Sequence, residues 1–112
     1  ILNDLTETAP VFFGKTVDAS YTNTIKPAAG TNPIVTFTTS STTLAGNLVF
    51  GASFNTISDL IPTNNFVVDG SNNGTNSRNL TLTNTSTSNS AWVYTVRVYG
   101  DCDNFTIKNC NV

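Results

Sequence analysis

The sequence predicts an all-β protein, a β-solenoid of about three to four coils with parallel strands. Three observations predict it. A six-residue phrase occurs twice, 25 positions apart: Asn79-Leu80-Thr81-Leu82-Thr83-Asn84 returns as Asn104-Phe105-Thr106-Ile107-Lys108-Asn109. Periods between about 20 and 50 residues mark solenoids and arrays. Thr, Asn and Ser supply 46 of the 112 residues, and Thr suits strands whereas Asn and Ser suit turns. No segment carries sustained helical periodicity. The competing architecture is an antiparallel β-sandwich, which also spaces short strands regularly.

The elements follow in order. The best helix candidate is the short stretch Leu2–Glu7. Candidate strands are Val11–Phe13, Thr22–Lys26, Ile34–Thr38, Asn47–Phe50, Phe66–Val68, Leu80–Thr83, Trp92–Tyr99 and Phe105–Lys108. Each is a short apolar or Thr-rich run bounded by turn residues. Pro27–Gly30, Asp69–Gly74 and Gly100-Asp101 are the plainest turns. In Trp92–Tyr99 the residues Trp92, Tyr94, Val96 and Val98 share one face, and Val93, Thr95, Arg97 and Tyr99 the other. Such alternation marks a half-buried strand.

The repeat assigns roles within each copy. Leu80, Leu82, Phe105 and Ile107 point inward, and Thr81, Thr83, Thr106 and Lys108 face water. If the offset is one full coil, Leu80 stacks under Phe105, Leu82 under Ile107, and Asn84 under Asn109. Asparagines stacked at a corner can bond amide to amide along the stack, which explains why Asn79, Asn84, Asn104 and Asn109 bracket the strands. Parallel pairing needs a long return path, and residues 85–103 supply one.

Composition narrows the setting. Seven acidic and five basic residues give a net charge of −2. No basic patch exists to neutralise phosphates, which argues against nucleic acid as a partner. No apolar run approaches the length that a membrane-spanning helix needs. A Thr/Asn-rich surface with few Lys and no His suits an extracellular protein. Cys102 and Cys110 flank the second copy. A strand between them would hold them about 20 Å apart, too far for a disulfide. They read as two small residues in the stack or as partners for a coil beyond Val112. The second copy runs almost to Val112, so the stack is expected to continue past it, in the same chain or by self-association through end stacking.

Candidate chemistry is sparse. Arg97, Asp101 and Asp103 form the nearest constellation to a catalytic or cation-holding group, because carboxylates two apart can serve as acid and base or as oxygen ligands. The competing role for both aspartates is to bond their own backbone in a turn. Tyr99, beside Arg97 on the outward face, can stack on a sugar ring, as can Tyr21. Asp69-Gly70 reads as a turn, and Arg78 and Lys108 as solvated rim charges. Asn73, Asn79, Asn84 and Asn104 sit in N-x-S/T sequons that this composition produces by chance. No catalytic residue, metal site or cofactor is assigned.

Several phrases resemble one family. Thr24-Ile25-Lys26-Pro27-Ala28-Ala29-Gly30 is similar to the opening coil of right-handed parallel β-helix modules in secreted or cell-surface proteins of gliding-type Gram-negative bacteria, often exported by the type IX pathway. Phe66–Ser71 followed by Ser77–Ser86 resembles that opening coil as well, and Asn104–Val112 resembles the next coil. The resemblance implies a right-handed helix over residues 22–112, with residues 1–21 as a lead-in or N-terminal cap. Asp101 and Asp103 depart from the small neutral residues of that pattern, and a long insertion separates Ser40 from Asn64. Fold alone does not name a function. The expectation is a non-enzymatic structural or adhesive module, secreted or on the cell surface. The alternative is a carbohydrate-binding or polysaccharide-degrading module, with polysaccharide as its partner.

Overall fold

The computed structural model describes residues 1–14, 20–38, 48–51, 63–87, 93–100 and 102–112. Ten short strands lie there: β1 (Leu5–Glu7), β2 (Val11–Phe13), β3 (Asn23–Ile25), β4 (Ile34–Phe37), β5 (Leu48–Phe50), β6 (Phe66–Asp69), β7 (Leu80–Asn84), β8 (Val96–Val98), β9 (Phe105–Lys108) and β10 (Cys110–Asn111). Every strand pairing among the described residues is parallel. Sheet A has the order β1-β4-β7-β10, sheet B β2-β5-β8, and sheet C β3-β6-β9. The chain thus visits the three sheets in turn and returns one rung further on. This is a three-sided parallel β-helix with three coils and the first strand of a fourth. A β-sandwich would need antiparallel pairs.

Alternation within the strands builds the core. Val35 and Phe37, Leu48 and Phe50, Phe66 and Val68, and Leu80 and Leu82 point inward and are buried. Each such side chain contributes on the order of 1.5–3 kcal/mol through burial. Phenylalanines fill the edge where sheets B and C meet. The Phe50 ring lies 5.2 Å from Phe13, 5.1 Å from Phe66 and 4.7 Å from Phe105, centroid to centroid. Inward residues lose cover at the two ends of the stack. Leu5 pairs with buried Val35 yet is 43% exposed, and Ile107 pairs with buried Val68 yet is 39% exposed.

The inward and outward roles within the repeat hold, but its stacking does not. Leu80 pairs with Cys110, and Phe105 pairs with Phe66. Asn84 pairs with Phe37, not with Asn109. The two copies of the phrase are strands on adjacent sides of one coil, so their offset spans part of a turn. True rungs are longer and unequal. Leu5 stacks on Val35, and Val35 on Leu82, so the second circuit consumes far more chain than the first.

Three further expectations change. Leu2–Glu7 contains strand β1, because Leu5-Thr6-Glu7 adds a parallel edge to β4 and gains more there than one isolated helical turn could. The first coil accordingly starts at Leu5, and residues 5–13 of the expected lead-in hold two of its strands. Among the described residues of the strand expected at Trp92–Tyr99, only Val96–Val98 is strand, since the chain bends at Thr95. Within the insertion between Ser40 and Asn64, β5 belongs to the second coil. Trp92, Asp101 and most of that insertion lie outside the described residues.

Candidate functional site

The outer face of sheet B carries Arg97. Its neighbours Val96 and Val98 pair with the inward Leu48 and Phe50, so Arg97 points outward, beside Val49. Its guanidinium carbon lies 4.0 Å from the Tyr99 ring centroid and 5.0 Å from that of Tyr94. A cation over two aromatic faces is attracted by their quadrupoles. Burial pulls the Arg97 pKa below its ordinary value, and the Tyr94 hydroxyl opposes that shift. The Tyr99 hydroxyl oxygen is buried and has no hydrogen-bond partner among the described residues. Tyr94 is 42% exposed. Alternation places Tyr94 inward, but the bend at Thr95 breaks the alternation and turns it onto Arg97. The Asn84 amide fixes this segment by donating to the Tyr94 carbonyl at 2.9 Å.

Beneath Tyr99 the coils approach closely. Gly51 has φ +83°, and a Cβ there would come within 3 Å of the Tyr99 carbonyl oxygen and of Cys102 Sγ. The buried Thr63 hydroxyl donates to the Phe13 carbonyl and accepts the Gly51 N–H at 3.0 Å. Cys102 donates its thiol to the Tyr99 carbonyl at 3.0 Å and accepts the Thr63 N–H at 3.4 Å. These bonds tie three coils together under the platform.

The other expected site residues go elsewhere. Asp103 stands at the corner entering β9, where its N–H donates to Asn64 Oδ1 at 2.7 Å and its carbonyl accepts from Asn65. It works through its backbone, as a turn residue does. Asp101 lies outside the described residues. Among the described residues no group of three or more His, Cys, Asp or Glu could hold a metal ion. Cys102 and Cys110 are free thiols, and burial pushes the Cys110 thiol up.

The corner asparagines form the second notable arrangement. Asn79 Nδ2 donates to Asn32 Oδ1 at 2.6 Å, one rung below, before β7 and β4. Asn104 Nδ2 donates to Asn65 Oδ1 at 3.0 Å, before β9 and β6. Amide pairing along the stack therefore occurs in two columns, with different partners from those the repeat offset supplied. Asn65, Asn104 and Asn109 all have φ 55°, a region that Asn tolerates better than most residues. Asn109 alone makes the corner between β9 and β10. Its amide donates to Asp69 Oδ1 at 2.9 Å. The same oxygen accepts the Ser71 N–H at 3.0 Å, and Lys108 Nζ lies 3.3 Å from Asp69 Oδ2. Lys108 is thus an ion-pair partner and not merely a rim charge. The Asn109 hydrogen bond leads the causes that hold the Asp69 carboxyl below its ordinary range.

Sequence reasoning misses two residues of interest. Alternation puts Tyr94 on the wrong face, and Glu7 lies in a stretch that reads as helix. The spacing Leu5-x-Glu7 is the signal that could place Glu7 on the inward side of a strand. Comparison of the chain with protein-family models, with curated proteins and with solved structures finds no match.

Proposed function

We propose that this chain is a non-enzymatic structural or adhesive β-helix module of a secreted or cell-surface protein. The asparagine pairs carry the reading. Asn32–Asn79 and Asn65–Asn104 spend their side-chain polarity along the stack axis, as does the Asp69–Lys108–Asn109 group. Such residues serve stiffness, and a stem is what stiffness serves. Self-association by end stacking belongs to this reading, because among the described residues no further strand follows β1, β2 and β3 at one end of the stack or β8, β9 and β10 at the other. Sedimentation velocity across a hundredfold concentration range tests it. Growing head-to-tail species support stacking, and a fixed monomer at the highest concentration refutes it. Turnover of any polysaccharide in a panel, lost on Asp103→Asn, would refute the non-enzymatic part.

A second reading rests on one observation, the Arg97–Tyr94–Tyr99 platform. It makes the module a carbohydrate binder, with Tyr94 stacking on a sugar ring. Affinity electrophoresis through acidic and neutral polysaccharides, comparing Tyr94→Ala with the parent chain, checks it. Unretarded migration of the parent would remove it.

A further inference from the structure

Among the described residues the first-coil end of the helix holds a cavity of about 230 Å³, floored by core residues such as Phe37, Val68 and Leu82. Ile1, Leu5, Val11 and Ile25 surround it in the first coil. The exposure of inward-facing Leu5 places the mouth there. Among the described residues one charged side chain lines this cavity, Glu7. Register fixes its direction: Glu7 pairs with Phe37, whose side chain points inward. Glu7 gives its backbone carbonyl to Thr38 N–H at 2.9 Å. Among the described residues its carboxylate has no ion-pair or hydrogen-bond partner. The other charge at the mouth, the Ile1 amino group, is engaged by the Lys26 carbonyl at 2.8 Å.

We infer that this cavity binds a small organic amine, its hydrocarbon part against the apolar floor and its ammonium group on Glu7. Apolar cavities of about 150 Å³ stay dry and accept benzene-sized molecules. A volume of about 230 Å³ has room for a chain of about six to eight carbons or a substituted ring. The carboxylate selects the head group. An ammonium gains a charge-assisted bond at the mouth, whereas a carboxylate head meets a like charge in an apolar setting. This site uses none of the side-chain contacts that carry the stem reading, but its mouth lies at the first-coil end, so a chain stacked there covers it and the probe is read at concentrations where sedimentation shows the monomer.

The probe is n-octylamine, compared with n-octanol and octanoate by chemical-shift perturbation of the intact chain. The amine is expected to saturate and to shift signals of Leu5, Val11, Ile25 and Val68. Octanoate is expected to bind at least tenfold more weakly. Glu7→Gln is expected to weaken the amine about tenfold and leave octanol unchanged, the size of a charge-assisted bond. Ile25→Phe, at a partly buried mouth position, is expected to block all three probes while the fold signals persist. No saturable shift with the amine, equal binding of octanoate, or an amine affinity that ignores Glu7→Gln would each overturn the inference.

Discussion

Replacing Gly51 by alanine tests the closeness of the coils. Gly51 has φ +83°, and Gly74, in the loop after β6, has φ +75°. Both substitutions meet the left-handed penalty of about 1 kcal/mol for an L side chain. They differ in surroundings. A Cβ at Gly74 meets nothing within 4 Å, whereas one at Gly51 falls inside the Tyr99 carbonyl and against Cys102 Sγ. The carbonyl is backbone and cannot rotate away, so the rung carrying β8 must move. That movement strains the Tyr99 N–H bond to the Phe50 carbonyl, now 2.8 Å, and the Cys102 thiol bond. Leaving one such buried group unpaired costs about 1–3 kcal/mol. Gly74→Ala should therefore lose about 1 kcal/mol and Gly51→Ala about 3 kcal/mol. With a urea slope of about 1.5 kcal/mol/M, the Gly51→Ala midpoint falls by about 2 M and that of Gly74→Ala by less than about 1 M. Equal midpoints for the two variants would refute the close approach of the coils.

Three other outcomes are expected. Phe50→Ala removes the ring that touches Phe13, Phe66 and Phe105 and should cost about 3–5 kcal/mol in urea unfolding followed by circular dichroism. Asn104→Gly keeps the φ of 55° and loses only the amide bond to Asn65, so it should cost about 1 kcal/mol, with Asn104→Ala about 1 kcal/mol worse. The Asp69 pKa is lowered in the folded chain from 3.8, so its stabilisation is present above that pH and is lost as the pH falls through the lower folded value; thermal melts from about pH 5 to about pH 2 should show a decline that Asp69→Asn flattens.

Local features were legible in the sequence and long-range ones were not. Alternation identified Leu80 and Leu82 as core residues, and turn chemistry marked Pro27–Gly30, where Gly30 has φ 76°. Both signals are carried by neighbouring residues. Register is not, because the corners differ in length. β9 and β10 are joined by Asn109 alone, whereas Gly70–Asn79 separate β6 from β7, with the Asn79 N–H closing that gap on the Gly70 carbonyl at 2.8 Å. A loop set on a corner changes the sequence spacing without changing the rung, so equal phrases need not stack. The candidate site was half visible. Arg97 and Tyr99 share the outward side as alternation requires, while Tyr94 joined them only through a bend that no pattern announces. Asp103 went to the backbone of a corner, the ordinary fate of Asp in a turn.

The unequal rungs also govern time. Val35 must find Leu5 in one direction along the chain and Leu82 in the other, each a whole coil away. No described strand has a partner close by in the chain, so loop-closure entropy is met before any rung repays it. Chains built from such distant pairings fold in milliseconds to seconds. Among the described residues the second coil is the only one with neighbours on both sides throughout, so its closure creates two templates at once. The coils at the two ends of the stack rest on one such template, so hydrogen exchange is expected to be fastest there and slowest in the second coil.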